Sequence, residues 1–407
     1  MQDQEFFGKV LGLEEPWRVK DVKLDLPTRV EVTLACRAEH AWQGEDGRRL
    51  HVHGWDERRW RHLDTMQLET VLIAQVPRLL DPQTGRTETP VLPWAKKGAR
   101  WTALFEAWAV RLLEAVPNVS RAAGLLRLDW HSAWEIKRRA VERGLARRTD
   151  EAVPQLGIDE KSFGRGQDYV SILTDLKQRR VLDVVPERTQ AAAEQLLETA
   201  LKAEQRAAVE AVCMDMWAGY AAAAACVLPQ ARVVYDPFHL VSHANQAVDE
   251  VRRKEHRVRR HRGDETLTGT RQLWLHGFER LDENRRRELQ VLLDAPELQT
   301  GIAWALKEQL RDLWDYRRPS AARRFLDRWR ERVIASGLKP MIKVADMIFA
   351  HLPGILAWFW HPISNGITEG FNSAIQSLKN IARGYRNFTN FRTAILFHHG
   401  KLDLIPR

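Results

Sequence analysis

The chain is poor in cysteine. Cys36, Cys213 and Cys226 are the three in 407 residues, an odd number spread far apart, which excludes a disulfide framework. It also lacks long apolar runs. No stretch of about 18 uncharged apolar residues occurs, which argues against a transmembrane helix. The opening segment MQDQEFFGKVLGLEE has neither the basic flank nor the apolar core of a secretory signal. Internal repeats and low-complexity linkers are missing too. These absences predict a soluble, cytoplasmic protein with no membrane contact.

What is present is enough apolar material for packed cores, 44% of residues, and an excess of positive charge. At roughly 150 residues per domain the length predicts two or three domains. Lys plus Arg is 63 and Asp plus Glu is 54, a formal charge of +9. Such an excess suits a polyanionic partner, and equally a solubility margin. Its distribution favours the partner. Residues 251–262, VRRKEHRVRRHR, hold seven Lys/Arg against one Glu, and residues 119–148 hold eight against three acids. Two basic stretches in different parts of the chain point to nucleic-acid phosphates. The 16 Trp often stand beside Arg, as in Arg58-Arg59-Trp60-Arg61 and Arg328-Trp329-Arg330. Such pairs can stack on bases, although core packing is the commoner use of Trp.

Patterning divides the chain. Residues 1–97 mix short β-like runs (Val30–Leu34, Val71–Val76) with Pro/Gly punctuation, a small α+β module. Residues 98–150 read as helices: Trp101–Ala115, a short one from Ser120, and Ser132–Gly144 after a turn at Asp129-Trp130-His131. The last two form a helix-turn-helix with Arg127, Lys137, Arg138 and Arg139 as expected DNA contacts. Residues 151–240 alternate. Gln155–Glu160, Tyr169–Thr174 and Arg180–Val185 are strands, Thr189–Gln205 a helix, Ala208–Met214 a strand, Trp217–Val227 a helix and Ala231–Tyr235 a strand. Residues 241–360 are helical, and 361–407 close the chain with further helix. The order β-β-β-α-β-α-β and a late helix is that of an RNase H-like fold, with strands one and four side by side.

Carboxylates fall where that fold would gather them. Asp159 ends the first strand and Asp215 the fourth. Glu369 lies in the polar, Gly-marked start of the late helix. Three hard oxygen ligands suit Mg2+ or Mn2+, and a pair of such ions suits in-line phosphoryl transfer. One Asp at a strand end is ordinarily a turn or cap residue; the force of the pattern lies in all three positions together. Glu160 is expected beside the site. Asp236-Pro237-Phe238-His239 is a support for the site, a phosphate contact, or a local cap.

These residues resemble a known family, the DDE transposases of the ISL3 group of bacterial insertion sequences. The likeness is carried by Gly157-Ile158-Asp159-Glu160, Asp215-Met216-Trp217, Asp236-Pro237-Phe238-His239, the run Ser364–Asn372, and IARGYRNFTNFR at 381–392. Upstream, Arg59–Asp64 and Leu92-Pro93-Trp94-Ala95 also match, so it spans nearly the whole chain. The resemblance implies an RNase H-like catalytic core in which Asp159, Asp215 and Glu369 hold two Mg2+ or Mn2+ ions. Glu160, Asp236 and His239 would stand behind them, and a large all-helical insertion would split the core. It implies metal-dependent cleavage and strand transfer at terminal inverted repeats, double-stranded DNA as partner, and a homodimer or higher assembly on DNA in the nucleoid. Arg252, Arg253, Lys254, Arg257, Arg259 and Arg260 would hold phosphates. The family's N-terminal zinc element is degenerate here. Cys36 is followed by Arg37-Ala38-Glu39-His40, and Asp81-Pro82-Gln83-Thr84-Gly85 stands where a second Cys pair would fall, so structural zinc is expected to be absent. A catalytically silent DNA-binding regulator and a helical scaffold with incidental basic charge are the alternatives.

Overall fold

The computed structural model describes residues 3–406 except 38, 45–46, 165–167 and 296. The chain forms two compact units, Met1–Arg148 with Leu402–Arg407, and Thr149–Lys401. The residues from Leu402 onward thus belong with the N-terminal unit, which corrects the assignment of all of 361–407 to the catalytic core.

The N-terminal unit opens with α1 (Asp3–Val10), followed by β1 (Trp17–Asp25), β2 (Arg29–Cys36), β3 (His51–Thr65), β4 (Leu68–Leu80) and β5 (Thr87–Glu88). The sheet runs β1-β2-β4-β3, with β5 on β4. Alternation in β2 buries Val30, Val32 and Leu34 on one face. Trp17, Trp42, Trp60 and Trp94 pack on the same core. Trp60 and Trp329 are therefore core residues, and neither is a free stacking platform. Three helices follow: α2 (Ala103–Ala115), α3 (Val119–Leu126) and α4 (Trp130–Ala146). Thr102, Asn118 and Asp129 cap them, each side chain accepting a backbone N–H of the first turn. Arg127 makes the α3–α4 turn in the left-handed region (φ 54°).

In the second unit, β6 (Gln155–Ser162), β7 (Tyr169–Asp175) and β8 (Arg180–Pro186) form the meander. Then come α5 (Gln190–Ala200), α6 (Ala203–Ala207), β9 (Ala211–Met214), α7 (Ala218–Val227) and β10 (Arg232–Tyr235). The expected long helix from Thr189 breaks at Leu201, whose backbone is extended. The sheet order is β10-β9-β6-β7-β8. β6 pairs in parallel with β9, and β9 with β10, while β7 and β8 are antiparallel. Both faces of this sheet are covered. Val212 and Met214 face the α5–α7 side, whereas Ala211 and Cys213 pack with Ala357 and Ile363. A strand buried on both faces reads as a continuous apolar run, and the alternation within it decides which face each side chain meets.

Next is the helical block: α8 (Pro237–Arg260), α9 (Arg271–Leu275), α10 (Glu283–Leu293), α11 (Gln299–Arg311), α12 (Pro319–Ala335), α13 (Lys339–Ala350) and α14 (Leu352–Ala357). Its core centres on Trp274 and Trp329, whose indole N–H groups donate to Thr270 Oγ1 (3.0 Å) and the Leu306 carbonyl (2.8 Å). The unit closes with α15 (Gly366–Ile381) and α16 (Phe388–His399).

Candidate active site

Strand register sets the site. Gly157 pairs with Cys213, so Asp159 and Asp215 each lie two residues beyond that rung on adjacent parallel strands. Tyr235 pairs with Met214, which brings Asp236 to the same edge, and its N–H donates to the Met214 carbonyl (3.1 Å). Asp215 and Asp236 thus lie just past the ends of β9 and β10, and Asp159 lies level with them inside β6, which continues to Ser162 instead of ending at Asp159 as expected. The late helix comes close because of Gly157. A Cβ there would meet Thr368 Oγ1 at 2.6 Å and Asn365 Oδ1 at 2.9 Å. Asn365 ties α15 to β6 by donating to the Ile158 carbonyl (3.0 Å). That docking carries Glu369 and Asn372 to the aspartates.

The polar contacts are specific. Asp159 is nearly buried, and its Oδ2 accepts Asn372 Nδ2 (2.7 Å) while its Oδ1 accepts the Glu160 N–H (2.9 Å). Asp215 Oδ1 accepts the Trp217 N–H (3.0 Å). Arg188, just after β8, bridges Glu160 (3.0 Å) and Asp215 (3.2 Å), and its guanidinium lies over the Trp217 ring at 5.0 Å. Among the described residues, one group of His, Cys, Asp or Glu side chains gathers its ligand atoms within 4.8 Å: Asp236, His239 and Glu369. The pair expected behind the site therefore converges with the third expected ligand, while Asp159 and Asp215 are held beside it by Asn372 and Arg188.

Burial makes this region a strongly polarised one. Desolvation pushes Asp159 up to about 6, with the charges of Asp215, Glu369 and Asp236 adding to it. Desolvation and Asp215 push Glu160 up to about 7 against the pull of Arg188. Asp236 and Glu369 are also raised, burial being the first cause in each. Asp236 Oδ1 and Oδ2, His239 Nε2, Glu160 Oε2 and Asn372 Oδ1 are buried without a hydrogen-bond partner. Leaving one such atom bare costs about 1–3 kcal/mol. Five in one neighbourhood, most of them anionic oxygens, fit a hard divalent cation. Sequence reading missed Arg188, Asn372 and Asn365. Asn372 and Asn365 lay inside a motif already singled out, but Arg188 carried no signal of its own.

The expected DNA contacts differ in exposure and pairing. On α8, Arg253, Lys254, Arg257 and Arg260 are exposed, although Arg253 meets Asp249 (3.5 Å), Lys254 meets Glu250 (2.7 Å) and Arg260 meets Glu265 (3.6 Å); with Arg252, His256 and His261, the three arginines line a groove of about 580 Å³. Arg252 is buried against Asp249 (2.8 Å), and Arg259 is shared among Glu255, Asp264 and Glu297. On α4, Arg138 is paired with Glu135 and Glu142, and Arg127 reaches the Gln67 carbonyl (2.8 Å) and Asp64 (3.5 Å). Arg139 remains half-buried over Trp101. Lys137 is 1% exposed, so the expectation that it contacts phosphate is corrected: it lies on the core stripe of α4. Arg252, on α8, is 8% exposed and paired with Asp249, and it also lines the groove. The start of α4 presents Trp130, stacked on Trp134 (5.4 Å), and exposed His131 instead.

Residues 156–395 match the family model of the ISL3 DDE transposases, described as transposase. Residues 91–141 match the helix-turn-helix domain of transposase family ISL3. The chain is 28% identical over 383 residues to the transposase for insertion sequence element IS1001 of Bordetella parapertussis, covering 92% of this chain and 90% of that one. It is 27% identical over 427 aligned positions to the transposase for insertion sequence element IS1557 of Mycobacterium tuberculosis, covering 95% and 93%. Residues 44–80 match the zinc-finger of the IS204/IS1001/IS1096/IS1165 transposases. That match overturns the expectation that zinc has no place in this module. The side chains in view are nonetheless dispersed. Cys36 Sγ is turned to the Arg37 carbonyl, Asp81 caps the 81–85 turn, Ala38 lies outside the described residues, and no described ligand-type group of this unit gathers three members. No helix among the described residues is long and apolar enough to cross a membrane. The match over more than half the chain settles the family: this protein belongs to the ISL3 transposases.

Proposed function

We propose that the chain is an RNase H-like DDE transposase, which binds the terminal inverted repeats of its element and cuts and joins DNA there. The observation that carries this reading is the gathering of Asp236, His239 and Glu369 within 4.8 Å, beside Asp159 and Asp215 of the adjoining strands, with buried polar atoms of Asp236, His239 and Glu160 lacking a hydrogen-bond partner. Asp159, Asp215 and Glu369 would hold two Mg2+ or Mn2+ ions, and the structure adds Asp236 and His239 as further candidates for the ligand set. When bound, such ions stabilise charge on phosphoryl oxygens and make a water or a 3′-OH nucleophilic.

The chain's own residues do the rest. Asn372 fixes the bearing of Asp159, and the Trp217 amide fixes that of Asp215. Arg188 neutralises Glu160 and Asp215 while no cation is present. In that state burial raises Asp159 to about 6 and Glu160 to about 7, so cation entry favours their ionised forms and releases the protons still held. The module 1–97 and the helix-turn-helix within 98–150 would bind the repeats. The core at 151–240 and 361–401 would perform the chemistry, and α8 would hold DNA through phosphates. Two DNA ends must be brought together, so a dimer or higher assembly on DNA is part of this reading, as is a place at the bacterial nucleoid.

The test is Mg2+- or Mn2+-dependent cleavage of a duplex ending in the element's inverted repeat. Asp159→Asn and Asp215→Asn should each lower cleavage by about 1,000-fold or more with DNA affinity retained. A parent protein that binds the repeat but cuts under neither metal is a silent regulator, and this reading fails.

A further inference from the structure

Arg188 answers two demands at once. Its Nη1 pairs with Glu160 (3.0 Å) and its Nη2 with Asp215 (3.2 Å), so one guanidinium spans both carboxylates. A cation entering at Asp215 must compete with this side chain for the same oxygen. Asp159 differs: neutral donors hold it, the Asn372 amide and the Glu160 N–H, and they leave its charge uncancelled. The pairing of Arg188 is also unsaturated. Its Nε and the Glu160 Oε2 are buried without a hydrogen-bond partner, while the side chain as a whole is 30% exposed.

The backbone is built to aim this residue. Glu187 adopts φ 70°, a left-handed conformation that a residue with a Cβ seldom takes. Two bonds fix it. Its N–H donates to the Tyr169 carbonyl (2.8 Å), and its carbonyl accepts the Ser171 hydroxyl (2.8 Å). With that hydrogen committed, the buried Tyr220 hydroxyl donates to Ser171 Oγ (3.0 Å). The Tyr220 ring packs edge-on against Trp217 (4.7 Å), and Trp217 carries the guanidinium on its face (5.0 Å). The kink after β8, the middle of β7 and the start of α7 thus frame a single arginine. Strain held so firmly at a site has a use beyond balancing charge.

We propose that Arg188 couples cation binding to DNA binding. In the free protein it holds Asp215 and opposes a cation there; in the complex it turns to a phosphodiester oxygen and releases the carboxylate. The inference rests on the reading of this site as a cation-dependent DNA-cleaving centre. The guanidinium fork fits phosphate as it fits carboxylate, so the arginine is paired in both states. Such coupling is reciprocal: the factor by which DNA tightens the cation is the factor by which the cation tightens DNA.

The experiment follows Mn2+ binding to the full chain by electron paramagnetic resonance, first alone and then with a duplex ending in the inverted repeat, read before cleavage sets in. The duplex should tighten Mn2+ on the parent by about tenfold or more. Arg188→Gln should tighten Mn2+ by about tenfold without DNA and lose most of the further gain with it. Arg188→Lys, a point charge that reaches one carboxylate at a time, should fall between. Lys202→Gln, an equal charge loss at an exposed pair with Asp150, should match the parent. Unchanged or weaker Mn2+ binding by Arg188→Gln overturns the inference even where the parent cuts DNA. Mn2+ affinity of the parent that ignores the duplex overturns it too. A parent that shows the coupling yet cuts under neither metal overturns the transposase reading and leaves the coupling standing.

Discussion

Glu106 and Asp236 are both carboxylates with 1% exposure, and their surroundings are opposite. Glu106, in the N-terminal unit, accepts the Trp101 indole N–H (2.9 Å) and Arg143 (2.8 Å), with Arg139 at 3.9 Å. Asp236, in the second unit, has no hydrogen-bond partner of good geometry on either oxygen, and burial raises its pKa. A buried charge costs several kcal/mol unless it is paired. The first unit pairs its charge internally and gains a rigid junction. The second leaves the Asp236 oxygens without a well-aligned donor, with His239 and Glu369 close by. Burial alone therefore does not separate structural from functional carboxylates; the state of their oxygens does.

The largest expected effect is on the paired member. Glu106→Gln strands Arg143 and should lower unfolding free energy by about 3–5 kcal/mol, measured by denaturant titration. A loss below about 1 kcal/mol would mean that the pair holds nothing together.

The next concerns pH. In the metal-free fold, Asp159 and Glu160 keep their protons to about 6 and about 7, against ordinary values of 3.8 and 4.5. Between those limits the folded state binds more protons than the unfolded one, so stability falls as pH rises from about 4 to about 7. Asp159 alone contributes on the order of 3 kcal/mol. His62 has the reverse sign. Burial and Arg61 hold it at about 4, so the unfolded state binds the extra proton between about 4 and 6.5, and stability rises with pH there. Hydrogen–deuterium exchange read separately over residues 51–110 and 155–215 should show the two trends crossing. Asp159→Asn, or saturating Mn2+, should flatten only the second. Parallel trends in both units would break the comparison.

The smallest effect is on the bare member. Asp236→Asn removes a charge whose burial outweighs the pull of His239 and of the nearby Asn365 and Phe238 N–H groups, so the metal-free protein should keep its stability or gain about 1 kcal/mol. Its thermal stabilisation by Mn2+ should vanish. A strong destabilisation without metal would show that Asp236 is structural after all.

Strand order was legible because strands buried on both faces leave clean apolar runs; Asp215 falls just past β9, whereas Asp159 lies inside β6, which runs on to Ser162. β3 was not, since HVHGWDERRWRHLDT, largely solvated, lacks a hydrophobic alternation. Lys137 was misread although the pattern held the answer. Ala133, Ile136, Ala140, Val141 and Gly144 mark one stripe of α4, and Lys137 falls within it. Arg188 was beyond reach, because both its partners come from other strands and nothing local links them. The order of Asp236 and His239 relative to the other ligands was equally hidden: chain spacing gives reach along a helix, not convergence across a sheet.

The segment from Leu402 returns to the N-terminal unit. Leu402 packs where Gly144 has no side chain, and Arg143 and Arg147 donate to the carbonyls of Leu404 (2.6 Å) and Ile405 (2.6 Å). This unit is therefore completed only after the one that follows it in the chain. α4 receives its final straps only after residues 149–401 have been made, so a chain ending before Leu402 would carry this helix without them.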